Sequence, residues 1–186
     1  MPFRLLPNPK RSFDSLSEQE ILSLAIASEE EDARIYLAYA DSLREQYPAS
    51  AKVFEDMAEV EQTHKNNLIE MFRSRFGERL PLIRREHVRG FYERKPDWLR
   101  SNLSLETIRA ETQAMEEQAA RFYREAAKRV SDARTRQLLG DLALAEEGHE
   151  DIARTLTEKH VPQEVAEEEA GVARRQFVLT LSLIHI

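Results

Sequence analysis

Four stretches of this chain carry apolar residues at alternating steps of four and three, the spacing that lines one face of an α-helix. The first is introduced by Ser17-Glu18-Gln19-Glu20, a capping box in which the Ser hydroxyl satisfies an orphan amide and the Glu reaches back. It passes through Leu22, Ile26, Glu29, Ala33, Tyr36, Ala40 and Leu43 and is expected to run to Tyr47, ahead of Pro48. The second, Ala49 to Phe76, carries Val53, Met57, Val60, His64, Leu68 and Met71 and stops before Gly77. A third fits Ser104 to Val130 through Ile108, Thr112, Glu116, Ala119, Tyr123, Ala126 and Val130. The fourth fits Asp132 to Lys159 through Leu138, Leu142, Ala145, His149, Ile152 and Leu156. Breaks at Pro48 and Ser131 are short enough for antiparallel hairpins, whereas residues 77–103 can cross a bundle from end to end. The expected fold is all-α: an antiparallel four-helix bundle, two helix hairpins joined by one long crossover.

Composition narrows this picture. A chain of 186 residues fits one domain, and five Gly with seven Pro encode few turns. The absence of Cys removes disulfide frameworks, thiol catalysis, zinc ribbons and iron–sulfur clusters. A net charge of -7 argues against a nucleic-acid partner and suits cation binding. No apolar run resembles a signal peptide or a membrane span, so the chain as given reads as soluble and cytoplasmic. The bundle is expected over residues 15–160, behind an irregular, proline-bearing lead at 1–14 and ahead of an acidic linker at 161–180. Residues 73–100 hold nine Lys or Arg against four acids, which reads as a solvated face or as a surface for anionic lipid or another acidic surface. Leu181-Ser-Leu-Ile-His-Ile186 is the translation of one frame of a transposon-type sequencing adapter, so 181–186 reads as an artefact and His185 is not counted as a ligand.

Each apolar stripe is interrupted by one chemically different residue, and an internal repeat brings these into register. Ala27 to Tyr36 aligns on Ala114 to Tyr123, and both segments read Glu-x6-Tyr: Glu29 with Tyr36, Glu116 with Tyr123. Asp56 to His64 aligns on Asp141 to His149, and both read Glu-x-x-His: Glu61 with His64, Glu146 with His149. Three residues turn about 300° along a helix, so the Glu and His project side by side and can share a metal. Seven residues turn almost two full turns, so each Tyr lies on its carboxylate's stripe, as core or as a hydrogen-bond donor to a carboxylate of a neighbouring helix.

Four carboxylates and two imidazoles in one core carry a large desolvation cost, and no Lys or Arg falls on these stripes to offset it. Two divalent cations would. The set favours Fe(II), Mn(II) or Zn(II), and one Glu from each of two helices with Glu-x-x-His from each of the others is the ligand pattern of dimetal carboxylate bundles. Glu30, Glu31, Glu117, Glu147 and Glu150 are expected to face solvent, although a one-residue phase error would exchange Glu30 for Glu29 or Glu117 for Glu116. His87, Tyr92 and Trp98, in the crossover, read as packing or surface residues.

At these residues the sequence resembles the ferritin-like superfamily, in its rubrerythrin and erythrin branch, over roughly residues 15–160. The wording of Glu29-Glu30-Glu31-Asp32, Leu80-Pro81-Leu82-Ile83-Arg84-Arg85, Arg94 to Leu99 and Arg136 to Leu142 is similar to the ferritin-like domain of bacterial membrane-bound ferritins. There, an erythrin domain precedes a vacuolar-iron-transporter-like membrane domain, and Arg174 to Leu179 resembles the approach to it. The resemblance implies two irons, with Mn(II) or Zn(II) as substitutes: Glu29 and His64 on one, Glu116 and His149 on the other, Glu61 and Glu146 bridging. Tyr36 and Tyr123 would stand behind these ligands. It further implies dioxygen or peroxide as co-substrate, a homodimer, and a place on the cytoplasmic face of the inner membrane. Two departures separate the chain from rubrerythrin itself: it has no Cys for a rubredoxin-type centre, and position 119 is Ala where rubrerythrins carry a further carboxylate. Two functions remain open on this reading, oxidation of Fe(II) and a metal-responsive module that gates a membrane transporter.

Overall fold

The computed structural model describes residues 10–90 and 103–158, with side chains of the last helix described as far as His149. Most of the lead, Tyr92, Trp98, the linker 161–180 and the segment 181–186 lie outside the described residues. Four helices dominate: α1 (Glu18–Leu43), α2 (Pro48–Phe76), α3 (Leu105–Arg129) and α4 (Ala133–Glu158). Their starts follow local chemistry. Ser17 accepts from the Glu20 amide at 3.2 Å while the Glu20 carboxylate accepts from the Ser17 amide at 2.9 Å, the reciprocal box expected there. Ser104 caps α3 through the Thr107 amide at 3.1 Å, and Asp132 caps α4 through the Thr135 amide at 2.8 Å.

The first hairpin departs from expectation at its turn. α1 ends at Leu43 rather than at Tyr47, and Pro48 opens α2 rather than preceding it. The helical region is disfavoured for a residue before proline, and Tyr47 is accordingly at φ -138°, ψ 63°; proline's missing N–H costs nothing in a first helical turn. At the far end of α2, Gly77 adopts φ 78° and donates its N–H to the Arg73 carbonyl at 3.1 Å, closing the helix in a conformation that suits glycine.

α1 packs chiefly on α2 and α3 chiefly on α4, so the two hairpins are the tight units and the space between them is wider. Two apolar clusters fill the interior. One gathers Phe13, Leu22, Leu68, Phe72, Phe122 and Leu139; the other gathers Tyr36, Tyr39, Phe54, Met57, Ile108 and Met115. Among the described residues the expected stripes are buried with two departures: on α2 Phe72 is buried and Met71 half-buried, and on α4 Leu139 is buried and Leu138 half-buried. A strict 3.5-residue repeat falls about 20° behind a straight helix per heptad, which brings the next residue inward.

α1 is buried far beyond one stripe, from Ile21 through Ile26 without interruption. Its outer face is covered by the lead and the crossover. Strand β1 (Arg11–Ser12) pairs in parallel with β2 (Val88–Arg89), a 3-10 turn at Phe13–Ser15 sets Phe13 against the Phe122 ring at 5.8 Å, and Ile83 and Val88 join the same core. Arg85 is buried and donates to both oxygens of Asp32, at 2.8 Å for one of them, and to the Ser28 carbonyl at 3.0 Å. The basic stretch is therefore only in part a solvated face.

One ion pair of this region sets an acid limb. The Arg11 guanidinium and the Ser17 amide hold the Glu20 carboxyl at about 2, below its usual value of 4.5. A depressed pKa contributes stability that is complete above the unfolded value and is lost as pH falls through the folded one. Glu20→Gln is expected to cost about 1 kcal/mol at neutral pH, after discounting for Arg11's exposure, and nothing near pH 2. Urea unfolding of both proteins across that range measures the difference; a constant offset would contradict it.

Candidate metal centre

Between the two apolar clusters lies a polar layer. Glu29 of α1, Glu61 and His64 of α2, Glu116 of α3, and Glu146 and His149 of α4 are each at most 2% exposed. The helical period selects Glu29 over half-exposed Glu30 and Glu116 over exposed Glu117, while Glu147 turns out to meet Arg124. All six expected residues are thus brought together.

Their ligand atoms form two groups that share two members. Glu29, Glu61, His64 and Glu146 offer one donor atom each within 4.8 Å of one another, as do Glu61, Glu116, Glu146 and His149. His64 Nδ1 stands 3.3 Å from Glu29, 3.5 Å from Glu61 and 3.5 Å from Glu146. His149 Nδ1 stands 3.2 Å from Glu61, 3.6 Å from Glu116 and 3.8 Å from Glu146. The imidazoles lie nearly parallel, 18° apart with centroids 6.0 Å distant. Each is three residues from its own Glu, so one helical face of α2 and one of α4 present the pairs toward each other.

The tyrosines cross between the hairpins. The Tyr36 hydroxyl of α1 donates to Glu116 of α3, and the Tyr123 hydroxyl of α3 donates to Glu29 of α1. Tyr123 holds Glu29 Oε1 and leaves Oε2 facing His64, whereas Tyr36 holds the same Glu116 oxygen, Oε1, that faces His149. Tyr36→Phe or Tyr123→Phe is expected to weaken divalent-metal affinity by roughly 10–100-fold, because an oriented ligand loses its anchor. Isothermal titration would register this, and unchanged affinity would reduce both tyrosines to core packing.

Electrostatics in this layer are out of balance. Burial, reinforced by neighbouring Glu29, pushes the Glu61 carboxyl well above its usual range; burial, reinforced by Glu61 and Glu116, does the same to Glu146. Burial also raises Glu29, but contacts with Glu61, His64 and Tyr123 outweigh it and leave the group low. Burial would discharge His64, yet the carboxylates of Glu146, Glu29 and Glu61 hold its pKa far above normal. Glu29 Oε2, both Glu61 oxygens, both His64 nitrogens and Glu146 Oε1 are buried without a hydrogen bond among the described residues. Each such atom costs about 1–3 kcal/mol or more, a burden a core avoids unless something coordinates it. The donor set, four carboxylates with one imidazole per group, fits two divalent cations of the Fe, Mn or Zn type.

Sequence reasoning missed three features around this layer. Arg85 with Asp32 locks the crossover one helical turn from Glu29, Tyr39 donates to Glu111 at 2.5 Å, and Phe13 plugs one end of the core. No spacing rule links residues so far apart along the chain; only the uninterrupted apolar run Leu24-Ala25-Ile26, beside Ile21 and Leu22, signalled that α1 needed a cover.

This fold and polar layer define a four-helix bundle of the ferritin-like class. The rubrerythrin family profile matches residues 20–157, and the chain belongs to that family. Among solved structures, a hypothetical protein from Pyrococcus furiosus is similar at 25% identity and TM-score 0.64, over 78% of this chain and 91% of that one. Nigerythrin, solved in mixed-valence and in fully reduced, all-ferrous states, shares the fold at 21% identity and TM-score 0.61, over 82% of this chain and about 70% of its own. No curated protein matches the chain. Among the described residues no helix is long and apolar enough to cross a membrane.

Proposed function

We propose that the polar layer binds two ferrous ions and oxidises them with dioxygen or peroxide. The observation that carries this reading is the sharing of Glu61 and Glu146 by two otherwise separate ligand groups. Glu29 and His64 would hold one metal, Glu116 and His149 the other, and Glu61 and Glu146 both. A bridged iron pair supplies the two electrons that reduction of peroxide, or the first stage of dioxygen reduction, requires.

The chain's own part is to prepare that site. Protons held by raised Glu61 and Glu146 must leave as cations enter, so affinity rises with pH and binding releases protons. Tyr36 and Tyr123 fix Glu116 and Glu29 through the cross-hairpin hydrogen bonds. Apolar layers on both sides exclude bulk water. Ala119 is buried one turn after Glu116, so no further carboxylate reaches the pair from that position, and peroxidase turnover of the rubrerythrin kind is not part of the proposal. In a longer protein, the resemblance to membrane-bound ferritins extends the reading to delivery of Fe(II) to a membrane domain.

Anaerobic titration with Fe(II) followed by exposure to air tests this. Two irons per chain are expected, with near-ultraviolet absorbance of an oxo-bridged ferric pair developing in air. Saturable binding without oxygen uptake would overturn the oxidation and leave a metal-responsive module; no saturable binding would overturn the whole reading.

A further inference from the structure

The segment that leaves α2 has no part in the metal centre, yet it is built with care. Arg79-Leu80-Pro81-Leu82-Ile83-Arg84 follows the Gly77 stop. Leu82 is 97% exposed and Leu80 44%, and Leu82 is the most exposed of the large apolar side chains described. A single exposed leucine is ordinary, but a fully exposed one held on a rigid projection is not. Rigidity here has identifiable sources. The Ile83 amide donates to the Pro81 carbonyl at 3.0 Å, a three-residue turn with Leu82 at its tip. Immediately beyond, Ile83 and Val88 are sunk in the core and Arg85 is locked to Asp32 and the Ser28 carbonyl. The Gln19 amide reaches the Arg79 carbonyl at 3.4 Å on the near side.

Charge on this projection opposes that of the protein. Residues 73–89 contain six Arg against two Glu in a chain of net charge -7. Arg73 pairs with Glu78, Arg75 with Glu18 and Arg85 with Asp32, whereas Arg79 and Arg84, which flank the leucines, form no ion pair among the described residues. We propose that residues 79–84 dock the protein on an anionic phospholipid surface, Leu82 and Leu80 entering the headgroup layer while Arg79 and Arg84 meet phosphates.

The chemistry favours this occupant over a second copy of the chain. Two-fold self-association through the loop would bring Arg79 and Arg84 against their own counterparts, whereas a negative surface attracts them and repels the rest of the molecule, fixing its orientation. The contact is a convex tip with few apolar atoms, which suits a fluid layer that closes around it, and its binding is weak and reversible. It does not depend on the metal reading.

Co-sedimentation of the full chain with vesicles of phosphatidylglycerol and phosphatidylcholine in equal parts tests the proposal. Binding is expected to these and not to phosphatidylcholine alone, and to weaken with salt. Leu82→Ser should lower partition by about tenfold, and Arg79→Gln with Arg84→Gln by about 10–30-fold. These side chains are peripheral, so melting curves should be unchanged. Because the chain has no Cys, Leu82→Cys can carry a single polarity-sensitive fluorophore whose emission shifts blue on vesicles if the tip enters lipid. Absence of binding to the anionic vesicles, binding unaltered by both loop variants, or a loop-dependent dimer in sedimentation equilibrium without vesicles would each overturn it.

Discussion

Replacing Glu61 and Glu146 together by leucine is expected to raise the melting temperature of the metal-free protein by roughly 3–12 °C and to abolish saturable Fe(II) binding. The stabilisation follows from burial without compensation. Both carboxyls are almost fully inaccessible, both are pushed well above their usual range by burial and neighbouring carboxylates, and three of their four oxygens make no hydrogen bond among the described residues. Leucine has similar volume and no polar atom. With these carboxylates gone the two imidazoles shed their protons and stay neutral, so the exchange approaches replacement of a whole buried ion pair by apolar residues, which typically gains about 1–4 kcal/mol. The loss of binding follows because these two residues belong to both ligand groups, so neither retains more than two donors. In the parent protein, metal should reverse the order of stability: at a hundredfold excess over the dissociation constant, a ligand adds about 2.7 kcal/mol per site. Differential scanning calorimetry with and without Fe(II), under nitrogen, reads both effects. A variant that melts lower without metal, or that still binds two ions, would remove the basis for a metal centre here.

Arg85→Ala should be the most damaging single change outside the polar layer, at ~3–5 kcal/mol in urea unfolding. The guanidinium satisfies both oxygens of Asp32, itself 6% exposed, and the Ser28 carbonyl, and it fastens the crossover to α1. Removing it takes its two-pronged ion-pair partner from a buried carboxylate. Arg85→Met combined with Asp32→Leu should recover most of the loss, since an apolar pair of that bulk needs no partner. Glu29 is one turn from Asp32, so Arg85→Ala should also weaken the metal group containing Glu29 and His64 more than the group containing Glu116 and His149. If the single variant lies within about 1 kcal/mol of the parent, the clamp contributes little.

These two experiments probe interactions of different origin. The ligand pattern repeats within the chain, Glu-x6-Tyr once in each half and Glu-x-x-His once in each half, and the helical period alone decides that such residues share a face with the apolar stripe. Four helices, their pairing into hairpins and the capping box at Ser17 were legible for the same reason: they depend on residues within a few positions of one another. Where a local rule met proline, the boundary shifted. From the sequence Pro48 reads as the break between two helices, the second starting at Ala49, and the structure uses it to begin α2.

What the tertiary structure alone decided lies between segments distant along the chain. Phase between helices placed the Tyr36 hydroxyl on Glu116 and the Tyr123 hydroxyl on Glu29, turning two stripe residues into anchors for the opposite hairpin. It also made Glu61 and Glu146 common to both ligand groups. The crossover's path converted one arginine of a basic stretch, Arg85, into a buried clamp while leaving Arg79 and Arg84 beside an exposed leucine. Periodicity fixes which residues of one helix turn inward. It carries no information on the rotation of that helix about its own axis against its neighbours, or on where a connecting segment returns, because packing between elements sets both.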